Sequence, residues 1–147
     1  MTDFELRCKS AFPVFLHRLG TSEFKELKCG PGWNPSLEKF FDRIECLNAF
    51  QRKTTGGVFE LVAVCVRNGL IFAASRFVHN ELTTREHYDA VWRLYDLMLD
   101  ELKIECAKQC EMCGKIDPVF SRKEGRETMC AACAEEVRNM PMFVLER

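Results

Sequence analysis

The chain predicts an α+β fold, and three observations carry that expectation. A two-strand hairpin pattern lies mid-chain, apolar residues at helical spacing lie on either side of it, and two matched cysteine doublets near the end predict a zinc-ribbon-like segment. The division that follows is an α+β domain at 1–106, containing hairpin 58–78 and a long helix 84–106, then a four-cysteine unit and tail at 107–147.

The bulk numbers agree with one core and a small appendage. The chain has 147 residues, 47% of them hydrophobic and 29% charged, which argues against wholesale disorder. Its 21 basic and 22 acidic side chains leave a formal charge of -1, so no global field draws it to a phosphate backbone or an anionic membrane. "MTDFELRCKS" has neither the basic head nor the apolar stretch of a signal peptide, and no later run is long enough to span a bilayer, so the expected location is the cytoplasm with no membrane partner. Nine cysteines, an odd number, suit a reducing compartment in which thiols stay free or bind metal.

Phe4, Leu6, Phe12, Val14, Phe15 and Leu16 predict a short helix, a break at Pro13, and a further turn or two of helix up to Gly20. "TSEFKELKC" at 21–29 reads as a short strand, and "GPGW" at 30–33 offers Pro31 and Gly32 as the centre of a type II turn. Asn34 is then the expected cap of a helix with Pro35 in its first position. That helix lines up Leu37, Phe40, Phe41, Ile44 and Leu47 as one apolar stripe.

"VFELVAVCV" and "IFAASRFV", joined through Asn68 and Gly69, predict two antiparallel strands. Strict alternation places Val62, Val64 and Val66 on one side and Phe59, Leu61, Ala63 and Cys65 on the other, predicting a sheet covered on both faces. "TTRE" at 83–86 has capping-box form, with Thr83 as the cap and Glu86 reaching back. The helix after it carries Tyr88, Val91, Trp92, Tyr95, Met98, Leu99, Leu102 and Cys106 in a long stripe. A second, narrower stripe of Ala90, Leu94, Leu97 and Ile104 is expected to lie under the N-terminal segment, with a partner or dimer surface as the competing reading.

Cys110, Cys113, Cys130 and Cys133 form CxxC, sixteen residues, CxxC, a spacing that suits one structural zinc ion. Each doublet wraps half of a tetrahedron, and Gly114 falls where a knuckle needs a residue without Cβ. Four thiolates leave no open position for water. An ion in such a unit contributes about 10–16 kcal/mol of apparent binding energy, more than the few apolar side chains here supply. A thioredoxin-like redox pair fits less well, because there are two doublets and because Gly114 and Pro118 oppose a helix after the first. Cys106, one turn earlier, is read as a core thiol and alternatively as a substitute ligand.

A zinc deaminase is the competing enzyme reading, since His79, Asn80 and Glu81 form H-x-E ahead of a CxxC. Against it, Gln109 stands where that signature has proline, and Cys130 with Cys133 completes a better site. His17, His79 and His87 form no other catalytic pattern, so the expectation is a protein without enzymatic activity.

The motifs also resemble those of small uncharacterised bacterial and phage proteins. Cys29-Gly30-Pro31-Gly32-Trp33 matches their C-G-x-G-W element, the segment from Lys53 to Gly57 their K-x-x-x-G-G, and the cysteines with Gly114 their C-E-x-C-G and C-x-x-C. The resemblance runs from about residue 24 onward and departs in "KTTGG" and in the long middle helix. It implies a compact α+β protein with a zinc ribbon, encoded by a phage or another mobile element and then working in the host cytoplasm, and it implies no reaction.

The functional expectation is a protein that docks on a protein or ribonucleoprotein partner, by analogy as an anti-CRISPR-like inhibitor of a host enzyme or defence complex. Candidate contact residues are Trp33, which has core packing as its commoner role, Arg122 and Lys123 at the ribbon tip, and Met142 and Phe143 in the tail "MPMFVLE" at 140–146. The basic tip also motivates nucleic-acid binding as an alternative, although nearby acidic residues balance it.

Overall fold

The computed structural model describes residues 1–54, 56–67, 69–116, 119–121 and 128–138. Among the described residues, three α-helices and a three-stranded sheet make an α+β body, and a two-stranded ribbon with a short fourth helix follows it.

Helix α1 spans Asp3–Ala11, with the Thr2 side chain accepting from the Glu5 amide at its start. The predicted second helix is a series of turns over 12–20. It is held by tertiary bonds: the amides of Val14 and Phe15 donate to the Glu45 carboxylate at 3.0 and 2.8 Å, and the Leu61 amide donates to the Phe15 carbonyl at 2.8 Å. The chain between Gly20 and the helix that follows Trp33 keeps only two strand residues, β1 at Glu26–Leu27.

Residues Pro31–Trp33 form a turn of 3-10 helix instead of a type II turn. Gly32 is not among the glycines at positive φ, so its lack of a side chain answers a different need, given below. Asn34 has helical φ and ψ (-55°, -44°) and is the first residue of helix α2, Asn34–Thr54, rather than its cap. Leu37, Phe40, Phe41 and Ile44 are buried as their spacing predicts.

Strands β2 (Val58–Arg67) and β3 (Leu70–Val78) pair antiparallel and close on Arg67 opposite Leu70. Asn68 lies outside the described residues, and Gly69 has φ +77°. Strand β1 adds to the other edge of β2 in parallel, giving the order β1-β2-β3. A β-bulge between Leu61 and Ala63 overturns the strict alternation along β2. The extra residue resets the pleat, so Phe59 and Leu61 before it share the core with Val64 after it. Ala63 and Cys65 pair with Ala74 and Phe72 outside that core, and Phe72 is only half-buried.

Helix α3 spans Arg85–Ala107. Its cap is Thr84, which accepts from the His87 amide at 3.1 Å; Thr83 instead accepts from the Asn80 amide in the preceding turn. The long stripe packs inward, with Val91, Tyr95, Leu99, Leu102 and Cys106 buried. Tyr95 and Trp92 meet the Phe59 ring at 4.9 Å, and Phe15 meets Phe41 at 5.9 Å, so one aromatic cluster joins turns, helices and sheet.

The narrow stripe is not covered. Ala90 is exposed, and Leu94, Leu97 and Ile104 are 44%, 61% and 56% exposed. The N-terminal segment packs elsewhere: Arg7 of α1 pairs with Glu38, and Glu45 holds the turns after α1, both on α2.

Candidate metal centre

The centre begins where α3 ends. Cys110, Glu111, Met112, Cys113 and Gly114 form a knuckle in which the Gly114 amide donates to the Cys110 carbonyl at 2.8 Å and the Cys110 amide to the Lys115 carbonyl at 2.9 Å. Gly114 takes φ +78°, as expected of the residue that turns the chain back. Strands β4 (Val119–Ser121) and β5 (Thr128–Cys130) pair antiparallel, and β5 runs directly into helix α4, Ala131–Arg138. The second doublet therefore straddles the start of a two-turn helix.

These elements bring the sulfurs of Cys110, Cys113, Cys130 and Cys133 within 4.8 Å of one another, and Cys113 and Cys130 are 3.7 Å apart. Four sulfurs that close can share one cation in a tetrahedral shell. Burial alone pushes the Cys110 thiol up, but the backbone N–H groups of Cys130, Cys113 and Met112 and the Cys113 thiol donate to it and bring it down to about 6. Cys133 goes the other way, raised by burial and by the thiols of Cys113, Cys130 and Cys110. Thiols this close oppose one another's ionisation, an effect that a central cation would offset. The residues thus fit a structural metal ion held by Cys110, Cys113, Cys130 and Cys133.

Cys106 is not in this set. It is buried in the body core, and burial, then Cys29 and the acidic Glu105 and Glu111, raises its thiol to about 12. Burial and the Glu111 carboxylate raise Cys29 to about 12 as well. Both stay protonated and unreactive at neutral pH. The deaminase arrangement is not assembled either: His79 is exposed beyond the end of β3, and among the described residues the four cysteines alone form a cluster able to hold a metal.

Trp33 takes the commoner of its two expected roles, core packing, rather than an exposed position for partner contact: it is 0% exposed, and its indole Nε1 donates to the Gln109 carbonyl at 3.0 Å, which anchors this centre from within. Arg122, Lys123, Met142 and Phe143, with the tail at 140–146, lie outside the described residues.

Sequence reasoning missed the layer behind the sulfurs. Glu111 counts as a surface charge by residue type, yet it is 1% exposed and its Oε1 accepts from the Gly30 amide at 2.9 Å. Its carbonyl accepts from the Gly32 amide at 2.7 Å, and its own amide donates to the Thr128 carbonyl at 2.8 Å. Ser36 donates to Gln109 Oε1 at 3.2 Å, and Thr128 Oγ1 donates to the Gly69 carbonyl at 2.8 Å, tying the ribbon to the hairpin tip. The available signal was the pair of glycines flanking Pro31. No protein-family model, curated protein or solved structure matches this chain.

Proposed function

We propose that this chain is a non-enzymatic interaction protein, stabilised by one structural zinc ion, that docks on another protein. Zinc is the natural occupant of a closed four-thiolate shell, since soft sulfur donors in a tetrahedron suit it and leave no site for water or substrate. The observation that carries the docking reading is the outer stripe of α3, where Leu94, Leu97 and Ile104 stand in solvent on a long helix whose opposite side buries Val91, Tyr95, Leu99, Leu102 and Cys106. Apolar residues at such spacing fit the groove or helix of a partner. A cytoplasmic setting, a mobile-element origin and inhibition of a host enzyme or defence complex belong to the same proposal and rest on analogy. Among the described residues no helix is long and apolar enough to cross a membrane.

The test is affinity capture from the native host with the wild-type chain and with Leu97→Asp/Ile104→Asp, scored by mass spectrometry. The expected result is one protein captured by the wild type and lost with the double variant, whose melting temperature stays close to wild type because both sites are exposed. Capture of nucleic acid alone, weakening steeply with salt, supports a zinc-ribbon nucleic-acid binder instead. Undiminished capture by the double variant removes the stripe from the account.

A further inference from the structure

We infer that Gly30, Gly32, Trp33 and Glu111 are positioning residues of the metal centre, and that through them metal occupancy governs the packing of Trp33 in the body. The inference rests on the four cysteines holding a metal.

The contacts come from two segments about eighty residues apart that the sequence presents as separate motifs. The Gly30 and Gly32 amides hold the side chain and the carbonyl of Glu111, the residue between the first ligand and Met112. The Trp33 indole holds the carbonyl of Gln109, the residue before that ligand. Glycine is required at 32 for closeness: a Cβ there would collide with the Cys110 carbonyl oxygen and the Gly114 amide nitrogen and come 2.7 Å from the Glu111 carbonyl oxygen. A Cβ on Gly30 would meet the Glu111 backbone, and one on Gly114 would sit 2.9 Å from the Gly32 carbonyl oxygen. Backbone is pressed on backbone from both sides, so the knuckle has one conformation that fits, and in that conformation its sulfurs converge. Groups that orient metal ligands from behind typically set metal affinity about 10- to 100-fold. Binding is reciprocal, so an ion that favours this knuckle conformation favours to the same extent the seating of Gly30, Gly32 and Trp33 against it.

The experiment uses the full chain carrying Trp92→Phe, which leaves Trp33 as the single indole of the two in the sequence. Zinc is titrated into reduced, metal-free protein while Trp33 emission is followed, and affinity is measured by competition with a chelator. The expected result is a blue shift complete at one equivalent, and zinc affinity lowered about 10- to 100-fold in Gly32→Ala. Phe77→Leu, which thins the core near the far end of the hairpin, should lower the melting temperature and leave zinc affinity unchanged. Should Gly32→Ala fail to fold, Glu111→Ala, which removes the acceptor for the Gly30 amide, replaces it with the same direction of effect. Zinc uptake with no change in Trp33 emission, or wild-type affinity in these variants, overturns the inference. A wild-type chain that takes up no zinc overturns the metal reading beneath it.

Discussion

The body and the ribbon solve the same stability problem by different means. In the body, twenty-one buried residues from turns, sheet and three helices form one core, with Phe15, Phe41, Phe59 and Trp33 among its largest members. Among the described residues of the ribbon, the buried apolar set is Cys110, Met129, Cys130 and Ala134, with Met112 and Cys133 beside it, and three of those six side chains belong to the four-cysteine cluster that could hold a metal ion. Burial at about 25 cal/mol per Å² can order the body, whereas the described part of the ribbon buries few apolar side chains and gathers four thiols that fit a structural metal ion. One small fold thus sets an apolar core beside a candidate metal centre, and the hydrogen bonds around Glu111 and Gln109 couple the two.

The largest expected effect comes from removing the ion. Cys130→Ser/Cys133→Ser, or a strong chelator, should lose metal at one equivalent and unfold the ribbon, since the apparent binding energy of such ions is about 10–16 kcal/mol. Backbone amide exchange should then become fast in 108–116 and 128–138 while α2, β2, β3 and the centre of α3 stay protected. Equal loss of protection everywhere would mean that the body has no stability of its own.

A smaller effect, confined to the apolar core, is expected from Phe59→Ala, which opens a hole in the aromatic cluster and should cost about 3–5 kcal/mol in denaturant unfolding at unchanged metal content. Asn48→Ala should have an effect in an overlapping range. Asn48 is 0% exposed on α2, and its amide donates to the Phe59 carbonyl at 2.9 Å while its oxygen accepts from the Phe59 amide at 2.7 Å, stitching helix to sheet. Leaving buried backbone groups unpaired costs about 1–3 kcal/mol each, so an unfolding free energy unchanged by Asn48→Ala would contradict that role.

Much of this was legible in the sequence because it is local. The hairpin, the stripes of α2 and α3 and the spacing of the cysteine doublets follow from periodicity and ligand geometry over short stretches. What was not legible is set at a distance. Gly32 looks like a turn residue, yet it is glycine because the backbone of residues 110–114 passes against it. Glu111 carries the surface label of its side chain, but its burial depends on amides from residue 30. The bulge in β2 moves Val64 onto the face shared by Phe59 and Leu61, which no alternation rule anticipates. Whether the outer stripe of α3 is covered depends on where the N-terminal turns pack, and Glu45 holds them on α2.

The most direct measurement is X-ray absorption at the metal edge of freshly purified, reduced protein, combined with metal content per chain. The expected result is one zinc ion with four sulfur neighbours at about 2.3 Å. A metal-free protein, or a shell containing nitrogen or oxygen donors, contradicts it.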